Sequence, residues 1–328
     1  MDAFPPPRRG RSVRAWSLAL ALLLGPALAG CGTTERPESP AKAAAGSPAP
    51  KADTTHQQLR VDGRTREYQL HRPTVRDGRS RPLVIAFHGR GSTASYLREQ
   101  TRLDEDARAR GMLIAYPEGL GKLWGAGTRA TARRPDPDLD VRFTKALIAE
   151  LVRTERADPK RVYVVGFSNG GSMALRMAAQ SPGLLAGAAA VSGELPTGNA
   201  AVKPTGPVPL MIIYGADDPV RPLAGMPHPS PAPAGEEPVT PTMSAHDSAA
   251  AFAAAGGATA SAPATTKAEA GYDRTVWRLS APGATVQLLV MHDAGHSWPG
   301  SRIKPPAGFG RTSTALNATR TILDFFHI

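Results

Sequence analysis

Cysteine is almost absent from this chain: a single one, Cys31, occurs in 328 residues. A lone cysteine cannot form an intrachain disulfide, so no part of this chain is held by one. The Gly-x-x-x-x-Gly-Lys pattern of a phosphate-binding loop is missing too. These two absences exclude a disulfide framework and a P-loop nucleotide site.

Basic residues are numerous but not clustered. The formal net charge is +11, yet aromatic residues make up only 5% of the chain, and the arginines are scattered among alanine, glycine and proline. A nucleic-acid surface needs lysine and arginine gathered on one element with aromatic side chains nearby to stack on bases. We therefore expect no nucleic-acid partner.

The first 30 residues have the pattern of an export signal. Arginines up to Arg14 precede an apolar run over residues 15–29, which is too short for a transmembrane helix but suits a signal peptide. Leu28-Ala29-Gly30-Cys31 then resembles a bacterial lipobox. This predicts a signal peptide over 1–30, lipidation of Cys31 and an extracytoplasmic protein that is membrane-anchored or secreted. A buried free thiol is the alternative interpretation of Cys31.

A polar tether and a single folded domain come next. Residues 31–55 are rich in threonine, proline, alanine and serine and lack the apolar side chains that offset the entropy of ordering. Residues 56–328 alternate apolar strands with amphipathic helices, which predicts a mostly parallel sheet with helices on both faces. The predicted strands lie within 59–70 (a hairpin), 82–87, 112–116, 162–165, 186–191, 209–214 and 285–291, and the predicted helices at 95–110, 138–154, after 168 and at 314–326.

The most informative motif is Gly166-Phe167-Ser168-Asn169-Gly170, which lies between an apolar strand and an alanine-rich helix. Small residues two positions either side of a serine let the backbone close into a sharp turn that exposes the hydroxyl. The motif predicts a nucleophile elbow centred on Ser168.

Two further strands end in residues that complete a catalytic set. One strand leads into Asp217-Asp218, and another leads into a segment with His292 and His296. The order Ser, Asp, His is that of the α/β-hydrolases. His296 is predicted as the base and Asp218 as its orienting acid, with Asp217 and His292 as the rivals. A zinc site on the two histidines is not expected, because the segment does not have a helical pattern.

The glycine-rich loop His88-Gly89-Arg90-Gly91 follows another predicted strand. An acyl-transfer intermediate carries a negative oxygen that needs two preorganised donors. The backbone N–H groups of Arg90 and Asn169 are predicted to supply them. An ordinary glycine-rich turn is the alternative for this loop.

These motifs together resemble the poly(3-hydroxybutyrate) depolymerase-like esterases, a group that includes feruloyl and acetylxylan esterases and lipid-anchored bacterial members. The resemblance covers about residues 57–328, and its most specific element is the run from Gly295 to Gly300, Gly-His-Ser-Trp-Pro-Gly. It implies that Ser168, Asp218 and His296 form a triad and that Trp298 and Trp124 line the acyl pocket. Core packing is the alternative for each tryptophan.

Loops around the site depart from this group. Relatives often hold them with disulfides, whereas here residues 125–137 and 256–271 contain no cysteine, and we expect these loops to be more mobile. The proline-rich stretch 222–241 follows the predicted acid directly. It is interpreted either as a rim or lid over the pocket or as a solvated surface loop.

The sequence as a whole predicts an α/β-hydrolase with one catalytic domain: a lipid-anchored serine esterase that cleaves hydroxybutyrate, feruloyl or acetyl esters through an acyl-enzyme, without metal or cofactor. The alternatives are a serine peptidase of the same fold and a non-catalytic ligand-binding lipoprotein.

Overall fold

An antiparallel hairpin comes first among the described residues. The computed structural model describes residues 53–74, 78–232, 237–259 and 263–328. Strands β1 (Asp53–Val61) and β2 (Arg64–Arg72) meet at the turn Asp62-Gly63, as the sequence predicts. The strand thus begins inside the segment predicted as tether. The predicted signal peptide, Cys31 and most of that tether lie outside the described residues.

One ten-stranded sheet contains all the strands of the described residues, in the order β1-β2-β4-β3-β5-β6-β7-β10-β9-β8. The strands from β4 through β10 in this order are parallel, and antiparallel strands complete both edges. The mostly parallel sheet of the α/β prediction is therefore confirmed. The remaining strands are β3 (Arg81–Phe87), β4 (Leu113–Pro117), β5 (Ala157–Phe167), β6 (Gly187–Val191), β7 (Leu210–Gly215), β8 (Thr265–Glu269), β9 (Tyr272–Arg278) and β10 (Thr285–Met291).

Six α-helices accompany the sheet in the described ranges: α1 (Ala94–Thr101), α2 (Leu103–Arg110), α3 (Leu139–Glu155), α4 (Asn169–Gln180), α5 (Ala245–Ala255) and α6 (Ala318–Phe325). The single helix predicted over 95–110 is wrong, because Arg102 adopts a left-handed conformation, φ 52°, and divides it into α1 and α2. The last helix begins at Ala318, capped by Asn317, rather than at 314. No helix of the described residues is both long and apolar enough to cross a membrane.

Three elements were not predicted. Helix α5 is mostly alanine and so lacks the polar face that marks an amphipathic helix. Strand β8 is almost wholly exposed at the edge of the sheet, so it shows no alternation of apolar and polar residues. Strand β8 lies within region 256–271, where the sequence suggested only a loop, and β9 begins directly after that region, at Tyr272.

Apolar side chains cover both faces of the sheet. In β3, Leu83, Ile85 and Phe87 pack into the core on one face, whereas Val84 and Ala86 pack into the core on the other. Strands buried on both sides appear in the sequence as continuous apolar runs. This explains why the central strands were the easiest elements to predict.

A buried carboxylate holds the loop that precedes α3. Asp140 is fully buried and accepts hydrogen bonds from Arg66 Nη2 and Arg134 Nε, each at 2.8 Å, and from the N–H of Gly125 at 2.7 Å. Burial raises the pKa of Asp140, but the two guanidinium groups outweigh it and hold that pKa below its usual range. The carboxylate therefore stays charged and joins the hairpin, the loop and the helix.

Arg176 of α4 also binds the loop that precedes α3. Its Nη1 donates to the carbonyl oxygens of Gly125, Gly127 and Pro137 at 2.6, 2.7 and 2.8 Å, and its Nη2 pairs with Asp138. Loop 125–137, for which the absence of disulfides suggested mobility, is thus anchored by arginine side chains at both ends.

Replacing Asp140 by alanine is expected to lower the free energy of unfolding by about 3–5 kcal/mol, because two arginines would be left buried without their carboxylate. Chemical denaturation measures this loss. Asp136→Ala is the matched control: Asp136 also pairs with an arginine in this region, but at the surface, and its loss should hardly move the denaturation midpoint. Equal effects of the two substitutions would contradict the account.

Candidate active site

Ser168 lies at the sharp turn between β5 and α4. Its backbone has φ 56° and ψ −122°, a conformation that non-glycine residues rarely adopt and that costs about 1–3 kcal/mol. A side chain at Gly170 would collide with the chain, since a Cβ there would lie 2.1 Å from the Phe87 carbonyl oxygen. The serine N–H donates to the carbonyl of Val191 at 2.8 Å. The strand, strained serine and helix form the elbow geometry that the sequence predicts.

Asp218 and His296 are brought together by the ends of β7 and β10. Asp218 Oδ2 and His296 Nδ1 are 2.7 Å apart, and both side chains are buried. The other oxygen, Oδ1, accepts the backbone N–H groups of Val220 and Arg221 at 2.9 and 2.8 Å. A carboxylate can only accept, so Nδ1 donates and leaves Nε2 as the acceptor of the ring.

The rival residues are placed elsewhere. Asp217 is exposed, although it directly precedes Asp218. His292 is also exposed and pairs with Asp273, with Nε2 and Oδ2 3.2 Å apart. Within the described residues, no group of three or more His, Cys, Asp and Glu side chains is arranged to hold a metal ion.

Ser168 and His296 line one cavity of about 840 Å³. The rings of Phe167 and Phe309 lie beside the imidazole, with centroids 5.0 and 5.4 Å away, which restricts its orientation. Residues of the proline-rich stretch form part of the cavity wall: Met226, Pro229, Ser230 and 237–240. Arg90 Nη2 on another wall donates to the carbonyl of Glu237 at 2.8 Å. The stretch therefore borders the cavity, and its motion as a lid stays a hypothesis.

The two residues predicted to form the oxyanion hole also line this cavity. Arg90 follows Gly89, whose position is so close to the elbow that a Cβ there would lie 3.5 Å from Ser168 Cβ. Asn169 is the first residue of α4, where backbone N–H groups have no partner within the helix. Its side chain binds the backbone of Trp124, accepting the N–H at 2.7 Å and donating to the carbonyl at 3.1 Å.

The two tryptophans have different surroundings. Trp124 lines the cavity, and its Nε1 donates to the His88 carbonyl at 3.0 Å. Trp298 instead packs in the core and donates to Thr319 Oγ1 at 3.1 Å, and it is not among the residues that line the cavity. The prediction that Trp298 lines the acyl pocket is corrected accordingly: two residues after His296, its side chain packs toward α6.

A buried acid that sequence reasoning missed lies at the cavity. Glu194 Oε2 accepts from Thr242 Oγ1 at 2.7 Å and from Arg221 Nη2 at 3.3 Å. The same Nη2 donates to Ser172 Oγ at 3.1 Å, one helical turn after Ser168. Glu194 therefore connects the serine helix with the loop that carries Asp218. The position of Glu194 in the sequence could have indicated a functional residue, because it lies just beyond the end of β6, at the edge of the sheet where such residues gather.

The fold and this site define an α/β-hydrolase with a nucleophile elbow. The comparisons identify it further: residues 139–231 match the model of the phospholipase/carboxylesterase family, and the chain as a whole belongs to an esterase family. It is 38% identical to "Putative esterase NocK" of Nocardia uniformis subsp. tsuyamanensis over 95% of this chain and 97% of that protein. The chain is thus a carboxylesterase-type hydrolase.

More distant relatives agree with this class. Feruloyl esterase B of Piromyces equi is 31% identical over 42% of this chain, which spans only 26% of that protein. The acetyl xylan esterase structure from Aspergillus awamori matches 83% of this chain and 99% of its own, with a TM-score of 0.53 at 15% identity. This last likeness shows the fold alone.

The stability of the protein is expected to depend on the ionisation of Glu194. Burial raises the pKa of its carboxyl group, while Arg221 and Thr242 oppose that rise. A raised folded-state pKa favours the protonated form, so this contribution is complete below the unfolded pKa of about 4.3 and is lost as pH rises through the folded pKa.

Glu194→Gln cannot ionise and should remove this dependence. The free energy of unfolding of the unmodified protein, measured by denaturation from pH 4 to 8, should therefore decline relative to that of the variant as pH rises. A difference that is constant or grows with pH would show that the carboxylate is not destabilised by burial.

Proposed function

We propose that the protein hydrolyses carboxylic esters through an acyl-enzyme on Ser168, with His296 as general base and Asp218 as the group that orients it. The observation that carries this proposal is the buried Asp218–His296 hydrogen bond of 2.7 Å beside the cavity that also holds the elbow. A serine hydroxyl is a weak nucleophile until a base takes its proton. The imidazole Nε2, left as acceptor, is the base that this geometry provides.

The first half of the reaction forms the acyl-enzyme. Ser168 Oγ attacks the ester carbonyl carbon as its proton passes to His296, and the N–H groups of Arg90 and Asn169 stabilise the oxygen that becomes negative. The intermediate collapses when His296 returns the proton to the leaving alcohol. Asp218 stabilises the imidazolium that exists between these two steps.

Water completes the cycle in the second half. His296 takes a proton from a water molecule, which attacks the acyl carbon, and then protonates Ser168 Oγ as the acid departs. The site needs no cofactor for either half, because proton transfer and oxyanion stabilisation come from the chain's own groups.

The proposed substrates are esters with an acyl or alcohol part larger than acetate, of the hydroxybutyrate oligomer or feruloyl type, with acetylated sugars as the smaller alternative. A cavity of about 840 Å³ bordered by Trp124, Leu123 and several prolines supports this choice. So do the distant relatives named feruloyl and acetylxylan esterase. The resemblance to depolymerase-like esterases favours the oligomer.

Hydrolysis of p-nitrophenyl butyrate tests the mechanism. We expect activity that falls by about six orders of magnitude in Ser168→Ala, because the nucleophile is lost, and by about 10⁴-fold in Asp218→Asn, because the imidazole is held in the wrong tautomer.

Asp217→Asn is the matched control for the acid, since it changes an exposed neighbour by the same chemistry; its activity should stay within about twofold of the unmodified protein. No activity in the folded protein would favour a peptidase or a non-catalytic binding protein. Equal loss in both aspartate variants would contradict the assignment of Asp218.

We also propose that the protein works outside the cytoplasm, attached to the membrane by a lipid on Cys31. The export signal and lipobox over residues 1–31 support this. In a bacterial host, the full chain should be found in the membrane fraction, whereas Cys31→Ala should move it to the soluble fraction or the medium. Identical fractionation of both chains would contradict lipid anchoring.

A further inference from the structure

Positive charge predominates in the cavity that holds Ser168. Among the described residues, arginine and glutamate are the charged side chains that line it besides His296: Arg90, Arg129, Arg134, Arg221, Glu194 and Glu237. An ester of ordinary neutral character does not require such an excess of cations. The partners of each arginine therefore show which of them is available to a substrate.

Most of these arginines are engaged within the protein. Arg221 pairs with Glu194 at 3.3 Å, and Arg90 Nη2 donates to the Glu237 carbonyl. Arg134 Nε binds Asp140 at 2.8 Å, but that carboxylate is shared with Arg66 at the same distance. One negative charge thus faces two positive charges, and this buried cluster keeps a net positive charge.

Arg129 is the exception. It is half-buried and lines the cavity, and its side chain has no hydrogen bond or ion pair with any described residue. The backbone on either side is fixed: the Thr128 N–H and hydroxyl donate to the carbonyls of Ala200 and Ala201, each at 3.0 Å, and Thr131 and Arg134 exchange backbone hydrogen bonds of 2.9 and 3.1 Å.

The same loop contributes a second arginine to the cavity lining. The Arg134 side chain is only 3% exposed, and its Nη1 is buried without a hydrogen-bond partner among the described residues. A buried donor left without a partner is costly, and guanidinium groups match carboxylates in geometry and charge. Arg129 thus offers donors that no described residue uses, and Arg134 adds a buried positive charge to the same cavity lining.

We infer that Arg129 and Arg134 form a subsite for a carboxylate that the substrate carries in addition to its ester bond. The inference rests on the proposed esterase function and refines its substrate class: half-esters of dicarboxylic acids and hydroxy-acid oligomers with a free acid end. Neutral aromatic or acetylated-sugar esters would leave the subsite unused. Arg129 supplies the accessible guanidinium, and Arg134 supplies further positive charge in the same cavity lining.

A pair of substrates that differ only in this charge tests the subsite. The mono-p-nitrophenyl ester of adipic acid carries a free carboxylate, and its methyl-capped diester is the neutral counterpart with the same reacting group. We expect the full-length protein to have a higher kcat/KM for the acid than for the diester. Arg129→Gln should reduce this ratio about tenfold, which is the effect of losing one hydrogen-bonded charge pair.

Three controls sharpen the kinetic result. Arg129→Lys keeps the charge without the bidentate geometry, so its preference for the acid should lie between those of the unmodified protein and Arg129→Gln. Arg153→Gln removes an exposed arginine of α3, outside the cavity lining, and should keep the full preference. Added salt should weaken the preference of the unmodified protein, since it screens a partly exposed pair. A preference that is unchanged in Arg129→Gln would overturn the inference.

Binding without turnover separates this inference from the proposed function. Monomethyl adipate is titrated calorimetrically into Ser168→Ala and into Ser168→Ala/Arg129→Gln. Weaker binding to the double variant supports the subsite even if no ester is hydrolysed, whereas equal binding refutes it. Absence of hydrolysis of both esters by the unmodified protein would refute the proposed function alone.

Discussion

The buried hydrogen bond between Asp218 and His296 is the contact on which the site depends, and the sheet makes it possible. Strands β7 and β10 are parallel neighbours whose last residues, Gly215 and Met291, are paired in register. The chain continues from both strands at the same edge, so the acid and the imidazole emerge side by side. Gly215 permits this closeness, because a Cβ there would lie 2.4 Å from the Ala294 carbonyl oxygen.

The remaining wall of the cavity is held by charge rather than by covalent bonds. Asp140, Arg66, Arg134 and Arg176 fix the loop that contains Trp124 and Arg129, and the side chain of Asn169 binds Trp124 beside the elbow. Removing one partner from such a network is costly, since it leaves a buried ion uncompensated. The network holds this loop without a disulfide, and two arginines of the loop, Arg129 and Arg134, line the cavity.

Patterns within short stretches of sequence predicted the elements whose structure depends mainly on neighbouring residues. Continuous apolar runs revealed the strands buried on both faces, and glycine spacing around Ser168 revealed the elbow. Helix α5 and strand β8 were missed because their composition carries no amphipathic period. The break at Arg102 also has no local signal, as a non-glycine residue adopts the left-handed conformation there.

Contacts between distant residues were beyond such reasoning. Arg66 and Asp140 are 74 positions apart, and only the folded sheet shows that they meet. The sequence placed Trp298 at the pocket by resemblance, whereas its packing toward α6 removes it from the cavity lining. Glu194 was not predicted because a lone acid in a loop forms no motif, although it follows β6 at the edge of the sheet where functional residues gather.

The central claim is that Ser168, activated by the Asp218–His296 pair, is the nucleophile of this carboxylesterase-type hydrolase. Treatment with a fluorophosphonate, followed by intact-protein and peptide mass spectrometry, tests it most directly, because such reagents form a stable covalent adduct only with an activated serine. The account predicts one adduct per chain, on Ser168. An unmodified protein, or an adduct on another serine such as Ser172, would contradict it.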